Sequence, residues 1–507
     1  MLSNRLPLAP LLLLGLLAGG AMPAPAPLTS PKPNFVVILT DDQDLTLGSL
    51  DFMPRTRELI GRQGMTFSNY FVPLSLCCPS RATILTGLYP HNHKVYTNFP
   101  PDGGFERFDE LRHERASLAT ALHAAGYHTA MIGKYLNGYP GTRKSTYVPP
   151  GWDEWDSPVA GSPYAAYRFT LNENGKTVKY GSRAEDYMTD VLAGKATAFV
   201  RGAAGKTQPF FLYLATFAPH KPATPAKRHA GLFPGLKAPR TPSFNEADVR
   251  DKPERIRALA RLDAGQIAAI DTIYRKQMLS LQAVDEAIAA LVRTLQETGQ
   301  LANTYIVFTS DNGFHMGQHR LDQGKYTPYE TDVHVPLIIR GPGVPAGRTA
   351  AALAASVDLA PTLAELAGTR LPADFDGRSL VPLLRGQAPE GWRQMVLLEQ
   401  FPFPPAPPRG GEALEPPDPQ DEKAAAAYPP HTGLRTASFK FVAYGTGERE
   451  VYDLRSDPDE LTNLRDRVGE AWLTRLFRLA RALANCAGAT CRQLEARPVP
   501  ELPAAVR

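Results

Sequence analysis

The chain of 507 residues contains only four cysteines and carries a formal net charge of just +4. A charge this small, without a run of basic residues, gives no support for nucleic acid as a partner. Apolar residues make up 43% of the chain and charged residues 21%, which is typical of a globular protein with a large core. At this length we expect one large domain and a smaller one.

A long apolar run is missing as well. The most apolar segment, residues 11–17 (LLLLGLL), is too short for a membrane-spanning helix. It follows Arg5 and precedes small residues at 18–21, which is the pattern of an export signal. We therefore expect residues 1–26 to be a signal peptide, and the protein to be secreted or periplasmic. No cysteine follows this segment, which argues against a bacterial-type lipid anchor.

The four cysteines form two pairs with different predicted roles. Cys486 and Cys491 enclose four residues, and in an oxidising compartment we expect them to form a small disulfide. Cys77 and Cys78 are adjacent, and a disulfide between neighbours is strained. The separate location of the second pair favours a chemical role for Cys77.

Residues 76–87 (LCCPSRATILTG) predict a helix that begins at a cysteine. Pro79 suits the first turn of a helix, and Gly87 can end it. Cys77 would then lie at a helix N-terminus, where free N–H groups favour an anion. Arg81 adds a fixed charge with a planar fork of donors. Together these features predict a site for a tetrahedral oxyanion.

Four predicted strands each end in polar residues. Short apolar runs separated by helical segments predict an α/β fold: a large, mostly parallel sheet sandwiched by helices. Ligands of such sheets bind beyond the carboxyl ends of the strands, so the four polar clusters should converge there. The clusters are Asp41 and Asp42 after 34–39, Lys134 after 128–132, His220 after 210–214, and Asp311 and Asn312 after 305–308.

Two helices are predicted in the large domain. Apolar residues between 281 and 295 recur at three- and four-residue steps, and Gly299 can close this helix. A second helix is expected over 358–367. We assign residues 32–385 to this domain.

The remaining residues, 386–507, predict a smaller C-terminal domain. It contains a proline-rich surface insertion over 401–430. Residues 433–444 and 450–453 should form a hairpin, and an amphipathic helix follows around 472–484. This pattern is typical of a small antiparallel sheet with one helix packed on it.

The motif Cys77-Cys78-Pro79-Ser80-Arg81 resembles the C-x-P-S-R signature of the type I sulfatases, which have an alkaline-phosphatase-like fold. The segments TDDQD, GKYLNG, APH and SDNGFHMGQH look closest to N-acetylglucosamine-6-sulfatases and to fungal- or algal-type arylsulfatases. The resemblance implies hydrolysis of a sulfate ester on a sugar or an aryl group. It also implies that formylglycine-generating machinery oxidises Cys77 to Cα-formylglycine.

The resemblance further implies a set of site residues. One Ca²⁺ would be bound by Asp41, Asp42, position 77, Asp311 and Asn312, and oxygen ligands do suit hard cations. The predicted catalytic residues are Cys77, Arg81, Lys134, His220 and Lys325. The hydrated aldehyde is the expected nucleophile, the lysines offset charge on the sulfuryl oxygens, and His220 or Lys325 protonates the leaving alcohol. Structural alternatives remain, since an Asp pair can cap a helix and Asp-Asn-Gly is a common turn.

One position departs from the family pattern. Many sulfatases carry a histidine two residues after the first lysine, where this chain has Leu136. Asn137, His315, or a histidine of the pair His91 and His93 could substitute. The spacing of that pair also raises zinc as an alternative, although no third soft ligand occurs nearby.

Three other functions compete with the sulfatase interpretation. A phosphodiesterase or phosphonate monoester hydrolase of the same superfamily can share C-x-P-S-R. A non-catalytic binder of sulfated glycans would follow if Cys77 stays unmodified. A thiol hydrolase is the third, because a cysteine at a helix N-terminus should have a lowered pKa. The sequence leaves the physiological substrate and the oligomeric state open.

Overall fold

The computed structural model describes Met1 and residues 32–372, 374–387, 389–402 and 428–503. Apart from Met1, the predicted signal peptide lies outside these residues, and so does most of the predicted insertion 401–430. Both stay predictions. Within the described ranges, no helix combines the length and the hydropathy that a membrane span requires.

The strands of the described residues are β1 Asn34–Thr40, β2 Met65–Phe67, β3 Tyr70–Phe71, β4 His128–Gly133, β5 Glu154–Gly161, β6 Phe169–Glu173, β7 Lys176–Lys179, β8 Phe210–Ala215, β9 Thr304–Ser310, β10 His315–Met316, β11 Gln323–Gly324, β12 Leu337–Arg340, β13 Arg348–Ala350, β14 Ala354–Ala355, β15 Met395–Gln400, β16 His431–Thr436, β17 Phe439–Tyr444 and β18 Arg449–Asp453. Ten of them form one large sheet, in the order β13-β2-β12-β9-β1-β8-β4-β5-β6-β7. The five strands from β9 to β5 in this order run parallel, and most of the outer strands pair antiparallel. The prediction of a large, mostly parallel sheet is confirmed.

Apolar cores lie on both faces of this sheet. Along β1, Phe35 and Val37 belong to one core, whereas Val36 and Ile38 belong to the other. This alternation explains why the strand is apolar throughout, as parallel strands covered on both sides are. The helices of the described residues are α1 Pro54–Thr56, α2 Cys77–Thr86, α3 Pro90–His93, α4 Gly104–Glu110, α5 Leu118–Ala124, α6 Met188–Gly202, α7 Glu254–Arg257, α8 Ala264–Glu297, α9 Glu330–Val333, α10 Leu359–Leu366, α11 Val381–Leu384, α12 Glu470–Leu483 and α13 Ala489–Glu495.

The predicted helices are present, and their ends have local causes. Helix α2 begins at Cys77, and Gly87 follows it in the left-handed region with φ 71°. Helix α8 is longer than the predicted apolar stripe, because Asp263 and Gln266 form a capping box at its start. Gly299, with φ 71°, lies just beyond its last turn. Leu359–Leu366 matches the second prediction.

A four-stranded antiparallel sheet, in the order β15-β16-β17-β18, lies in the C-terminal part of the chain. The prediction of one strand over 433–444 is wrong. The Oγ1 atom of Thr436 accepts hydrogen bonds from the N–H groups of Ser438 and Phe439, which turns the chain and separates β16 from β17. Cys486 and Cys491 form the predicted disulfide. The boundary at 385/386 stays a prediction.

Candidate active site

The polar residues that follow β1, β4, β8 and β9 converge at one edge of the sheet, as the sequence predicted. Helix α2 and the turn after β11 add further side chains. Asp42, at the end of β1, has a φ of 63°, a strained conformation that lets its N–H donate to Asp311 Oδ1 at 3.2 Å. Buried members of the group are Asp41, Asp42, Cys77, Arg81, Lys134, Asp311, Asn312 and Lys325, and His220 is partly exposed.

Cys77 lies at the start of α2 and is fully buried. Its Sγ is 2.8 Å from Lys325 Nζ and 3.4 Å from Asp41 Oδ1. Burial raises the pKa of the Cys77 thiol well above its ordinary value, and Asp41 adds to this effect. The cations Lys134 and Lys325 lower that pKa but do not outweigh burial. The expectation of a lowered thiol pKa is therefore wrong.

Arg81 connects three parts of the site. Its Nε donates to Asp311 Oδ2 at 2.8 Å, its Nη1 donates to the carbonyl oxygen of Lys134 at 2.7 Å, and its Nη2 is 3.7 Å from Asp41 Oδ2. Burial lowers the pKa of Arg81, but Asp311 and Asp41 raise it further, so the guanidinium stays charged. The fork holds the ends of β1, β4 and β9 in a fixed arrangement.

The two predicted lysines each pair with one aspartate. Lys134 Nζ donates to Asp41 Oδ2 at 2.6 Å, and Lys325 Nζ donates to Asp42 Oδ1 at 2.6 Å. Burial raises the pKa of both carboxyls, but the nearby cations, with His220 among them, hold each pKa below its usual value. Both aspartates are therefore charged in the folded protein.

The donor atoms of the site fit a hard cation. Ligand atoms of Asp41, Asp42, Cys77 and His220 lie within 4.8 Å of one another. Asp42 Oδ2 and Asn312 Oδ1 are buried and have no hydrogen-bond partner. A buried carboxylate oxygen without a partner is costly, and Ca²⁺ or Mg²⁺ binds such oxygens. The oxygens of Asp41, Asp42 and Asn312 can therefore hold a hard cation. Of the predicted ligands, Asp311 is not a member of the group within 4.8 Å, and His220 is a member that the sequence did not predict as a ligand.

His220 is held with one ring nitrogen turned towards the carboxylates. Nδ1 is 2.7 Å from the carbonyl oxygen of Lys221, and since a carbonyl only accepts, Nδ1 must carry the proton. Nε2 is 3.5 Å from Asp42 Oδ2. The side chain is 11% exposed, so Nε2 can exchange a proton with a ligand that enters the site.

Position 136 holds a leucine where many sulfatases have a histidine, and the histidines proposed to replace it form hydrogen bonds with other side chains. His91 Nδ1 is 3.0 Å from both Glu399 oxygens, and His93 Nε2 is 3.0 Å from Thr83 Oγ1. Since the two rings have different partners, they do not form a shared zinc site. His315 Nδ1 pairs with Asp332 at 3.0 Å. Leu136 itself packs in the apolar core.

Sequence reasoning missed an aromatic residue of the site. The ring of Tyr164 lies 5.0 Å from Lys134 Nζ and 4.6 Å from the ring of His220. Tyr164 belongs to the connection between β5 and β6, and no local motif marks it. Only the tertiary fold brings it to the lysine and the histidine.

The sequence model of the sulfatase family matches residues 33–369 of this chain. Human N-acetylglucosamine-6-sulfatase is 36% identical over 486 residues, which cover 91% of this chain and 86% of that protein. A Sulf-1 homolog of Caenorhabditis elegans is 41% identical over 382 residues, 73% of this chain, but the match spans only about half (53%) of that relative. A solved protein in complex with its substrate D-glucosamine-2-N,6-O-disulfate superimposes with a TM-score of 0.72 at 25% identity, covering 92% of this chain and 99% of that one.

These likenesses agree with the fold and with the site. The large mixed sheet with helices on both faces, followed by a small antiparallel sheet, is the alkaline-phosphatase-like architecture that the resemblance implied. The matched residues 33–369 include every predicted site residue. The chain therefore belongs to the sulfatase family, enzymes that hydrolyse sulfate esters.

Proposed function

We propose that this sulfatase removes sulfate from a sulfated sugar, with formylglycine at position 77 and one bound Ca²⁺. The observation that carries the proposal is the position of Cys77. It is fully buried at the start of α2, with Lys325 Nζ at 2.8 Å, Asp41 Oδ1 at 3.4 Å and a carboxylate oxygen of Asp42 within 4.8 Å. A structural cysteine has no need of such an environment.

In this arrangement Cys77 Sγ marks where an oxygen of the modified residue would lie. Formylglycine supplies a hydrated aldehyde whose hydroxyl group is the nucleophile. Lys325 is within hydrogen-bond reach of that position and can orient the group. The modification requires formylglycine-generating machinery in the host cell, which we propose as a partner of the newly made chain.

We propose Asp41, Asp42, Asp311, Asn312 and position 77 as the Ca²⁺ ligands. A bound ion would supply positive charge that offsets the charge of the sulfate group. Its carboxylate ligands are fixed before binding, because Arg81 holds Asp311 and the two lysines hold the other aspartates. Lys134 and Lys325 add positive charge that can stabilise the sulfate group as it is transferred.

The leaving alcohol needs a proton, and His220 is well placed to supply it. Its Nδ1–H donates to the carbonyl oxygen of Lys221. A second proton on the ring would therefore lie on Nε2, the nitrogen that faces the site. Lys325 remains the second candidate, because its Nζ lies beside Cys77. A pH–rate profile that changes with His220→Gln would assign the role to His220.

The named relatives support a sulfated amino sugar as the substrate class. The human relative is called an N-acetylglucosamine-6-sulfatase, and the solved protein binds a 6-O-sulfated glucosamine. An aryl sulfate is the second candidate. Relatives described as extracellular sulfatase homologs also support our proposal that this protein is secreted or periplasmic.

The decisive experiment compares matched esters with the purified full-length enzyme. We expect sulfate release from N-acetylglucosamine 6-sulfate, and a higher kcat/KM for 4-nitrophenyl sulfate than for bis(4-nitrophenyl) phosphate or 4-nitrophenyl phenylphosphonate. A preference for either phosphorus ester would favour the phosphodiesterase or phosphonate hydrolase alternative. Binding of a sulfated sugar without release of sulfate would favour a non-catalytic binder.

A further inference from the structure

The loop between β5 and β6 is held in a single conformation next to the active site. Residues Pro163–Ala165 form a short 3₁₀ turn. The N–H of Ser162 donates to the carbonyl of Arg168 at 3.0 Å, and the N–H of Met188 donates to the carbonyl of Ala166 at 2.9 Å. These hydrogen bonds close the loop on itself and attach it to the start of α6. The side chain of Tyr164 is therefore presented from a fixed backbone.

The ring of Tyr164 contacts a lysine and a histidine of the site. Lys134 Nζ lies 5.0 Å from its centroid, which is a cation–π distance, and the ring of His220 lies 4.6 Å away. Phe217 supports the ring from another side, in an edge-on contact at 5.0 Å. Lys134 is buried, whereas Tyr164 is only partly buried. The ring thus forms part of the wall between the buried lysine and the solvent.

Open space lies against this wall. A cavity of about 30 Å³ is lined by Lys134, Asn137, Tyr139, Pro158, Tyr164 and Phe217. Most of these side chains are apolar or aromatic, with a few polar groups among them. The cavity is the size of a water molecule or two and is too small to enclose a sugar, but it shows that Tyr164 borders open space beside Lys134.

We propose that Tyr164 contacts the alcohol portion of the sulfate ester and helps to select a ring-shaped alcohol. This inference rests on the proposed function, in which His220 protonates the leaving oxygen. That oxygen must come within hydrogen-bond reach of His220 Nε2. The carbon atoms bonded to it then lie beside a ring that is 4.6 Å from His220. An aromatic face is a rigid apolar surface on which the C–H face of a sugar ring can pack.

Steady-state kinetics of the full-length enzyme test this inference, with N-acetylglucosamine 6-sulfate as substrate and inorganic sulfate as inhibitor. Tyr164→Ala should raise KM for the ester about tenfold, because the contact with the sugar is lost. The inhibition constant of sulfate should change less than about twofold, since free sulfate has no alcohol portion. Tyr164→Phe keeps the ring and should retain the wild-type KM.

Tyr167→Ala is the matched control. Tyr167 lies in the same loop, but its ring contacts that of Tyr187 in a tilted arrangement at 5.4 Å. This substitution should leave both constants unchanged. Equal losses of ester and sulfate binding in Tyr164→Ala would overturn the inference, because they would mean that the ring only positions Lys134 and His220. An unchanged KM would overturn it as well. A wild-type enzyme that releases no sulfate from this ester would instead refute the proposed substrate.

Discussion

Two buried clusters that contain charged side chains differ in how completely their polar atoms are paired. The site cluster consists of Asp41, Asp42, Arg81, Lys134, Asp311, Asn312 and Lys325. The structural cluster consists of Asp358, Arg393 and Glu495, all with 0% exposure. Both must offset the cost of taking charge out of water.

In the structural cluster the side-chain atoms pair with one another. Arg393 donates to both oxygens of Asp358, at 2.5 and 2.8 Å, and to Glu495 Oε2 at 2.9 Å. The hydroxyl of Tyr89 donates to the other Glu495 oxygen. The cluster fixes α13 and the segment before β15 to the residues that precede α10, and its pairing leaves no place for a ligand.

In the site cluster three buried atoms have no hydrogen-bond partner: Asp42 Oδ2, Asn312 Oδ1 and Arg81 Nη2. Two of them are oxygens that suit a cation, and the third is a donor that suits an anion. The structural cluster, whose polar atoms are fully paired, therefore holds the fold together. The site cluster, whose polar atoms are incompletely paired, is the one suited to bind a ligand.

The largest expected difference in kcat between a variant of a site residue and a variant of its neighbour is that between Cys77→Ala and Cys78→Ala. Neither Cys77 nor Cys78 is in a disulfide, and both are fully buried. Cys77→Ala removes the proposed nucleophile, so kcat should fall by roughly 10⁴-fold or more. Cys78→Ala removes a buried side chain of the core and leaves the proposed nucleophile in place, so it should retain most of the activity with a lower melting temperature. Comparable kcat values in the two variants would contradict the assignment of Cys77.

Arginine substitutions test the two clusters directly. Arg393→Met leaves the buried Asp358 without its ion-pair partner and leaves Glu495 with Arg378 as its ion-pair partner. It should destabilise the protein by about 3–5 kcal/mol, measured by urea unfolding. The folded fraction of this variant should keep a normal kcat. Arg81→Met should instead lower kcat by about 10²- to 10³-fold, because it removes a fixed charge from the site. A large loss of kcat in the folded Arg393→Met protein would contradict the distinction between the structural cluster and the site cluster.

Calcium should stabilise the protein through the site cluster alone. At about 100 times its Kd, a ligand that binds only the folded state adds about 2.7 kcal/mol. We expect a higher melting temperature with Ca²⁺ than with EDTA for the wild type, and no such shift for Asp42→Asn. Asp358→Asn should be less stable in both conditions and should keep the calcium-dependent shift. A shift that survives in Asp42→Asn would place the ion elsewhere.

Glu114 shows what burial does to the pKa of a carboxyl when the nearby cation, Arg143, does not offset it. One of its oxygens is buried without a partner, the other accepts from the Tyr147 hydroxyl at 2.8 Å, and burial raises the pKa of Glu114 to about 7. This folded pKa lies above the ordinary value of 4.5. The contribution of the neutral carboxyl to stability is therefore present below pH 4.5 and is lost as the pH rises through 7.

The neutral variant Glu114→Gln should remove this pH dependence. Near pH 4 its free energy of unfolding should equal that of the wild type, and at pH 8 it should exceed it by on the order of 2 kcal/mol. The exposed neighbour Glu110 serves as the control, and Glu110→Gln should change little at either pH. An equal stability of wild type and Glu114→Gln at pH 8 would show that Glu114 ionises as an ordinary carboxyl.

Much of the site was predictable, because its residues directly follow apolar strands or lie in one continuous motif. Asp41 and Asp311 follow β1 and β9, and the helix start at Cys77 is set by local sequence. Tyr164 was not predictable, since its contacts with Lys134 and His220 join segments that only the folded sheet brings together. The turn after Thr436 was missed because a side-chain oxygen, rather than glycine or proline, stabilises it.

The mass of the tryptic peptide 63–81, from protein made in its own host, tests the central claim most directly. This peptide carries both Cys77 and Cys78. Conversion of a thiol to an aldehyde lowers the mass by about 18 Da, whereas ordinary cysteine oxidation adds oxygen and raises it. We predict this loss, with fragment ions that place it at residue 77 and with a single alkylated thiol at residue 78. Two alkylated thiols and no loss of mass would contradict the account.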